Sequence, residues 1–245
     1  MDSRTAETVN FFPERNTPRA RVNNLVGVEL SGILVKTRRA CNEEESMTDS
    51  WEIAWKEGRT GWDAGGSPPI LLELVTNGEI PAGRVVVPGC GSGYDVFTLS
   101  GNGRTAVGLD LAPTAAARFE ALRDRLGVSP EVATIRTENF FEFAMEDRFD
   151  VMWDYTFLCA IDPTMREQWA TRAAQILRPG GSLFSLIFPV DPARPDNEGP
   201  PFRLSPELVA ELLAADFTCE SLERVPQSHP GREGKEWIGH WIRRG

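Results

Sequence analysis

Three glycines at alternate positions, Gly89, Gly91 and Gly93, and one carboxylate, Asp110, are the residues whose types and spacing point to chemistry. Without a Cβ, such glycines let the backbone turn tightly and let a ligand lie against the main chain. A carboxylate at the tip of the following strand is placed to accept hydrogen bonds from two ribose hydroxyls. Together they predict a ligand that carries a nucleoside. The dinucleotide fingerprint needs a glycine at the sixth position counted from Gly89, and Tyr94 stands there. A pyrophosphate cradle, and with it a nicotinamide oxidoreductase, is therefore disfavoured. The alternative is that the glycines only make a tight turn.

The pattern G-x-G-x-G followed by an acidic strand end resembles the class I methyltransferases, which hold S-adenosylmethionine (SAM). Other residues fit such a donor. Trp51 and Trp55 lie at i, i+4 on one helix face, and Trp62 follows in the turn Gly58–Asp63. They read either as a core stripe or as an aromatic wall. A sulfonium near an indole face gains about 0.5–2 kcal/mol. Asn139 and Phe140 follow a third strand, where Asn139 can bond the adenine edge and Phe140 can stack on its ring or simply pack in the loop. Tyr155 and Asp154 end a fourth strand whose tip points into the same crevice.

The elements that position these residues follow from periodicity. Val85, Val86 and Val87 in a row read as a strand buried on both faces, and Tyr94–Leu99 opens a helix. Strand, glycine turn and helix form the opening unit of a nucleotide-binding α/β domain. Thr105–Asp110, Val132–Ile135, Phe149–Trp153 and Ser182–Phe188 are four more strands, with a turn at Arg178–Gly181 before the last. Helices are expected between the first five strands. Pro113 starts one that Gly127 ends, and Asp162-Pro163 caps one that runs to Leu177. Ser67-Pro68-Pro69 and Ser205-Pro206 open two others. Thr218–Val225 and Trp237–Arg243 close the sheet as an edge hairpin. The expected fold is α/β: a Rossmann-like, seven-stranded doubly wound sheet with one antiparallel strand. The long loop Pro189–Arg203 reads as a lid. Residues 1–49 read as an N-terminal arm, partly irregular, and 50–245 as the domain.

Composition narrows the function. The 245 residues carry a net charge of −10 and show no basic cluster, so nucleic acid is not an expected partner. No run of about 18 apolar residues exists to span a membrane. The four cysteines form no C-x-x-C pair and the two histidines lack metal-ligand spacing, so no metal site is expected. Cys90 reads as a small packing residue. Reduced thiols, a cytoplasmic location and a monomer are the default expectations.

Several motifs in order carry a closer resemblance. They are Trp51-x-x-x-Trp55, Gly61-Trp62-Asp63, Val87–Asp95, Val107-Gly108-Leu109-Asp110, Phe149-Asp150-x-x-x-Asp154-Tyr155, Ala160–Pro163 and Gly199–Phe202. From Ser50 onward the chain resembles the thiopurine-methyltransferase-like family, and within it the thiol, thiocyanate and halide methyltransferase branch. The resemblance implies that Trp51, Trp55 and Trp62 flank SAM, that Gly89 and Gly91 approach its methionine part, and that Asp110 takes the ribose. It also implies that Asn139 and Phe140 meet adenine and that Tyr155 lies near donor and acceptor. In the thiopurine enzyme the position matching Tyr155 is basic, so tyrosine points to the thiol and halide branch. The implied reaction is in-line methyl transfer to a small thiol, thiocyanate or halide. Alignment is its main demand, and well-oriented pairs reach effective molarities of about 10⁵–10⁸ M. A thiol with a pKa of about 8.5 needs only mild help to ionise. Tyr155 is expected to orient the acceptor and Asp154 to hold the loop. The alternative is a catalytically silent SAM-binding interaction or regulatory module.

Overall fold

The structure is a computed structural model that describes residues 50–145 and 147–245. The expected arm, 1–49, lies outside the described residues. Residues 50–56 form helix α1. Then come α2 (Pro69–Thr76), β1 (Gly83–Pro88), α3 (Tyr94–Leu99), β2 (Arg104–Leu109), α4 (Pro113–Leu126), β3 (Ala133–Arg136) and β4 (Phe149–Tyr155). A short 3₁₀ turn (Pro163–Met165) leads into α5 (Arg166–Ile176), followed by β5 (Leu177–Ile187), α6 (Pro206–Leu213), β6 (Phe217–Arg224) and β7 (Trp237–Arg243).

All seven strands form one sheet, in the order β3-β2-β1-β4-β5-β7-β6. β7 alone runs antiparallel to its neighbours, inserted between β5 and β6. The expected α/β sheet with one antiparallel strand near its edge is what forms. Alternation along β1 divides the core. Val86 packs on one face with Met152, Leu183, Trp169 and Val209. Val85 and Val87 pack on the other with Trp153, Leu71, Val96 and Phe119. This period of two explains why a run of valines is buried throughout. Strand order reverses between β1 and β4, and at such a switch point the crevice beyond the strands' carboxyl ends receives ligands.

Two local expectations are corrected. No helix joins β3 to β4 among the described residues. The Asn139 side-chain oxygen accepts the Phe141 N–H at 3.0 Å, a local bond that competes with helical pairing. The Arg172 guanidinium, from α5, then takes the Phe140 and Phe143 carbonyls. Second, β5 begins at Leu177 rather than Ser182. Leu177 pairs with Phe149 and Ser182 with Val151, so five steps on β5 answer two on β4. Arg178–Gly181 bulges out between them, a turn held inside a strand.

Among the described residues no helix is long and apolar enough to cross a membrane. None of their His, Cys, Asp or Glu side chains form a group able to hold a metal ion.

Candidate functional site

The site begins at the glycine turn between β1 and α3. Gly89, Gly91 and Gly93 have φ of 57, 53 and 85°, so each sits in the left-handed region. A Cβ on Gly89 would lie 2.7 Å from the Phe157 ring, and one on Gly91 would lie 3.2 Å from the Trp55 ring. The turn is thus a smooth backbone shelf with aromatic neighbours. Asp110, just past β2, ties it in place. One carboxylate oxygen accepts the Gly91 N–H at 2.9 Å and the other the Ala112 N–H at 3.0 Å. Burial pushes the Asp110 carboxyl up, and those two N–H groups oppose the shift.

α1 supplies two of the indoles, Trp51 and Trp55, and the turn after it supplies Trp62. Trp62 meets Trp51 and Trp55 edge-on, with ring centroids 5.2 and 5.7 Å apart. The Glu52 carboxylate accepts from the Thr114 N–H (2.9 Å) and hydroxyl (2.7 Å), which pins α1 to the first turn of α4. Trp55 is 3 % exposed and carries the Arg118 guanidinium 4.9 Å from its ring centroid. One indole is therefore structural as well as wall-forming.

A cavity of about 570 Å³ opens beside the turn, within the range usual for small-molecule sites. Trp51, Trp55, Trp62, Gly89, Asp110, Asn139 and Phe140 all line it. Phe140 is nearly buried and meets Phe157 with centroids 5.1 Å apart. Gly91 and Tyr155 line a smaller adjoining recess, about 60 Å³, which shares Trp55, Trp62, Gly89 and Thr156 with the main cavity. The segment expected as a lid contributes Pro200 and Pro201 to the wall. It is held by the Phe202 N–H on the Cys159 carbonyl at 2.7 Å and the Val190 N–H on the Lys235 carbonyl at 2.8 Å.

The tip of β4 is strained and tightly bonded. Thr156 has φ +64°, an outlier for a β-branched residue, and its hydroxyl donates to the Tyr155 carbonyl at 2.6 Å. Asp154 holds this loop through the Leu158 N–H (3.2 Å) and the Trp169 indole N–H (2.8 Å). Burial pushes its carboxyl up to about 6. Burial does the same to Asp95, which accepts from the Trp153 indole at 2.8 Å and lines the recess. Cys159 lines the cavity, and burial pushes its thiol up to about 12, so it stays protonated.

The Tyr155 hydroxyl donates to Glu236 Oε1 at 2.6 Å and accepts from the Arg232 guanidinium. Burial and the neighbouring Glu236 carboxylate push its ionisation well above the usual range. Arg232 is 8 % exposed, donates to the Trp62 carbonyl at 2.7 Å, and lies 4.9 Å from the Phe188 ring centroid. No carboxylate oxygen of the described residues comes within 4.0 Å of it. It is a buried guanidinium without a direct ionic partner, facing a mostly apolar cavity. Periodicity and motif spacing pass over both Arg232 and Glu236. They lie in the polar connection between β6 and β7, where Pro226, Pro230, Gly231 and Gly234 mark turns.

The family model for thiopurine S-methyltransferase matches residues 46–243. A probable thiol methyltransferase 2 of Arabidopsis thaliana is 36% identical over 198 residues, covering 80% of this chain and 86% of the relative. Thiocyanate methyltransferase 1 of Brassica oleracea is also 36% identical, covering 78% and 83%. Among solved structures, the Burkholderia thailandensis 1,6-didemethyltoxoflavin-N1-methyltransferase, with S-adenosylhomocysteine bound, aligns with a TM-score of 0.61 at 23% identity, covering 81% of this chain and 88% of that one. A chain studied in the conversion of a disulfide bond into a thioacetal group during echinomycin biosynthesis aligns with a TM-score of 0.66 at 23% identity, covering 81% and 93%. The glycine shelf closed by Asp110 is therefore matched by likeness along nearly the whole described chain, which belongs to the thiopurine S-methyltransferase family.

Proposed function

We propose that the protein is a SAM-dependent S-methyltransferase whose acceptors are small thiols and anions of the thiocyanate and halide type. The observation that carries the acceptor class is Arg232, a buried cation without a direct carboxylate partner at the edge of the cavity. A guanidinium so placed favours an acceptor that is anionic or becomes so, because a negative charge restores the balance that burial removed. Relatives named thiol and thiocyanate methyltransferases support the same class.

SAM supplies an activated methyl group on a sulfonium sulfur. The residues present fit it. The turn at Gly89 and Gly91 is bare backbone whose missing Cβ atoms give room to the Phe157 and Trp55 rings beside the cavity, and Asp110 retains lone pairs for ribose hydroxyls beside its two N–H bonds. Trp51, Trp55 and Trp62, which line the cavity, would hold the sulfonium end, and Asn139 and Phe140 would receive adenine. The chain's own work is then to align and to exclude water: the aromatic walls keep the site dry, and Arg232 and Tyr155 hold the acceptor for in-line attack. Tyr155, with its hydroxyl donated to Glu236, orients the acceptor through its oxygen and by fixing Arg232.

Methyl transfer from labelled SAM to thiocyanate, iodide and a panel of small thiols tests this reading. Transfer to at least one of these is the expected result. No transfer to any of them, by a protein that retains SAM, would leave a silent binding module and overturn the reading.

A further inference from the structure

Glu236 is 1 % exposed, and only one of its two carboxylate oxygens has a use. Oε1 accepts the Tyr155 hydroxyl at 2.6 Å, whereas Oε2 is buried with no hydrogen-bond partner among the described residues. A buried carboxylate oxygen left without a donor is unfavourable by about 1–3 kcal/mol or more. On the other side of the same hydroxyl, Arg232 donates to the Tyr155 oxygen. The phenol oxygen thus lies between a group that can take its proton and a cation that stabilises the charge left behind. Tyr155 lines the recess that adjoins the cavity, and Arg232 lines the cavity itself.

We infer that Tyr155 and Glu236 form a proton relay that ionises thiol acceptors, an inference that rests on the S-methyltransferase reading above. The thiol S–H proton passes to the Tyr155 oxygen as the Tyr155 proton passes to Glu236 Oε1. The sulfur lone pair so exposed forms the new bond to the methyl carbon. The methyl–sulfonium bond breaks, and its electron pair stays on the departing sulfur. Glu236, now a neutral carboxylic acid, returns its proton to solvent through Tyr155 when the products leave. Thiocyanate and halides bring no proton and have no use for the relay. One site therefore serves both kinds of acceptor, and Glu236 is a positioning residue and proton acceptor that acts through Tyr155.

Glu236→Gln separates this role from a structural one, because the amide oxygen still accepts the Tyr155 hydroxyl but takes no proton. With an alkanethiol at pH 7, its kcat/KM should fall about a hundredfold relative to that for thiocyanate, the lower side of the usual general-base effect. The deficit should shrink as the pH approaches the pKa of the thiol. Tyr155→Phe should lower the same ratio, and it replaces Glu236→Gln should that variant not fold. A ratio that stays at the parent value, or a thiol deficit equal at every pH, overturns the relay while leaving the parent's methyl transfer standing. A parent protein that methylates no thiol overturns both the relay and the acceptor class on which it rests.

Discussion

Gly93→Ala tests whether the turn itself sets the site. Gly93 has φ +85° and precedes α3, where its carbonyl accepts the Phe97 N–H at 3.0 Å. A Cβ there would stand 2.1 and 2.6 Å from two carbons of the Phe119 ring and 3.1 Å from Phe97. Phe119 is fully buried and stacks at a tilt on Phe97, with centroids 4.6 Å apart, so it has no space into which to retreat. A left-handed residue with a Cβ costs about 1–2 kcal/mol. Overpacking a filled core costs about 1–3 kcal/mol more. The sum is about 2–5 kcal/mol, or about 4–20 °C of Tm for a domain of this size. Gly58→Ala is the control, since φ is +69° and nothing lies within 4 Å of its Cβ, so only the backbone term applies. Thermal unfolding followed by circular dichroism, with a urea series to check that the slope is unchanged, measures both variants. Equal stability of Gly93→Ala and Gly58→Ala would refute the packing argument.

Three further outcomes are expected. Asp110→Ala would remove the charge-assisted bonds to ribose proposed for it, worth about 1.5–3 kcal/mol, so calorimetry should show SAM binding weakened by about 10- to 150-fold; unchanged affinity refutes the assignment. Arg232→Met should raise the KM for thiocyanate by about tenfold or more while SAM affinity moves less; equal losses on both would place Arg232 at the donor instead. Asp154 has a folded-state pKa raised to about 6, so its neutral form is favoured on folding and its contribution falls as pH rises from about 4 through 6. The stability of Asp154→Asn relative to the parent should therefore improve by about 1 kcal/mol between pH 5 and pH 7. Denaturant titrations at the two pH values check this, and using the difference cancels the opposite trend of His229 and His240, whose pKa values burial lowers.

The strands of the parallel half were legible because burial on both faces demands apolar runs, and Val85–Val87 and Val151–Trp153 are such runs. The glycine turn and Asp110 were legible because backbone geometry and a strand-end carboxylate each leave few residue choices. The indole cluster and the cavity-lining segment around Pro200 and Pro201 also stood in the sequence as local patterns. The stretch between β3 and β4 was not legible as irregular. There the Asn139 side chain takes the Phe141 N–H, and Arg172, which arrives from α5 more than thirty positions later, takes the Phe140 carbonyl. The bulge in β5 likewise shows only in its register against β4.

Local chemistry in the chain determined the fold class, the family and the shelf for a SAM-like donor, since each depends on neighbours a few residues apart. Of the proposed acceptor side, Tyr155 stood in the sequence, while Arg232 and Glu236 were decided by tertiary structure. Tyr155 ends β4, while Arg232 and Glu236 come 77 and 81 residues later, from a connection with no period of its own. Only the pairing of β7 against β5 brings that connection over the crevice. The lack of a direct carboxylate partner for Arg232 and the unpartnered Glu236 oxygen are properties of burial, and burial is a relation among distant segments that no single stretch of sequence contains.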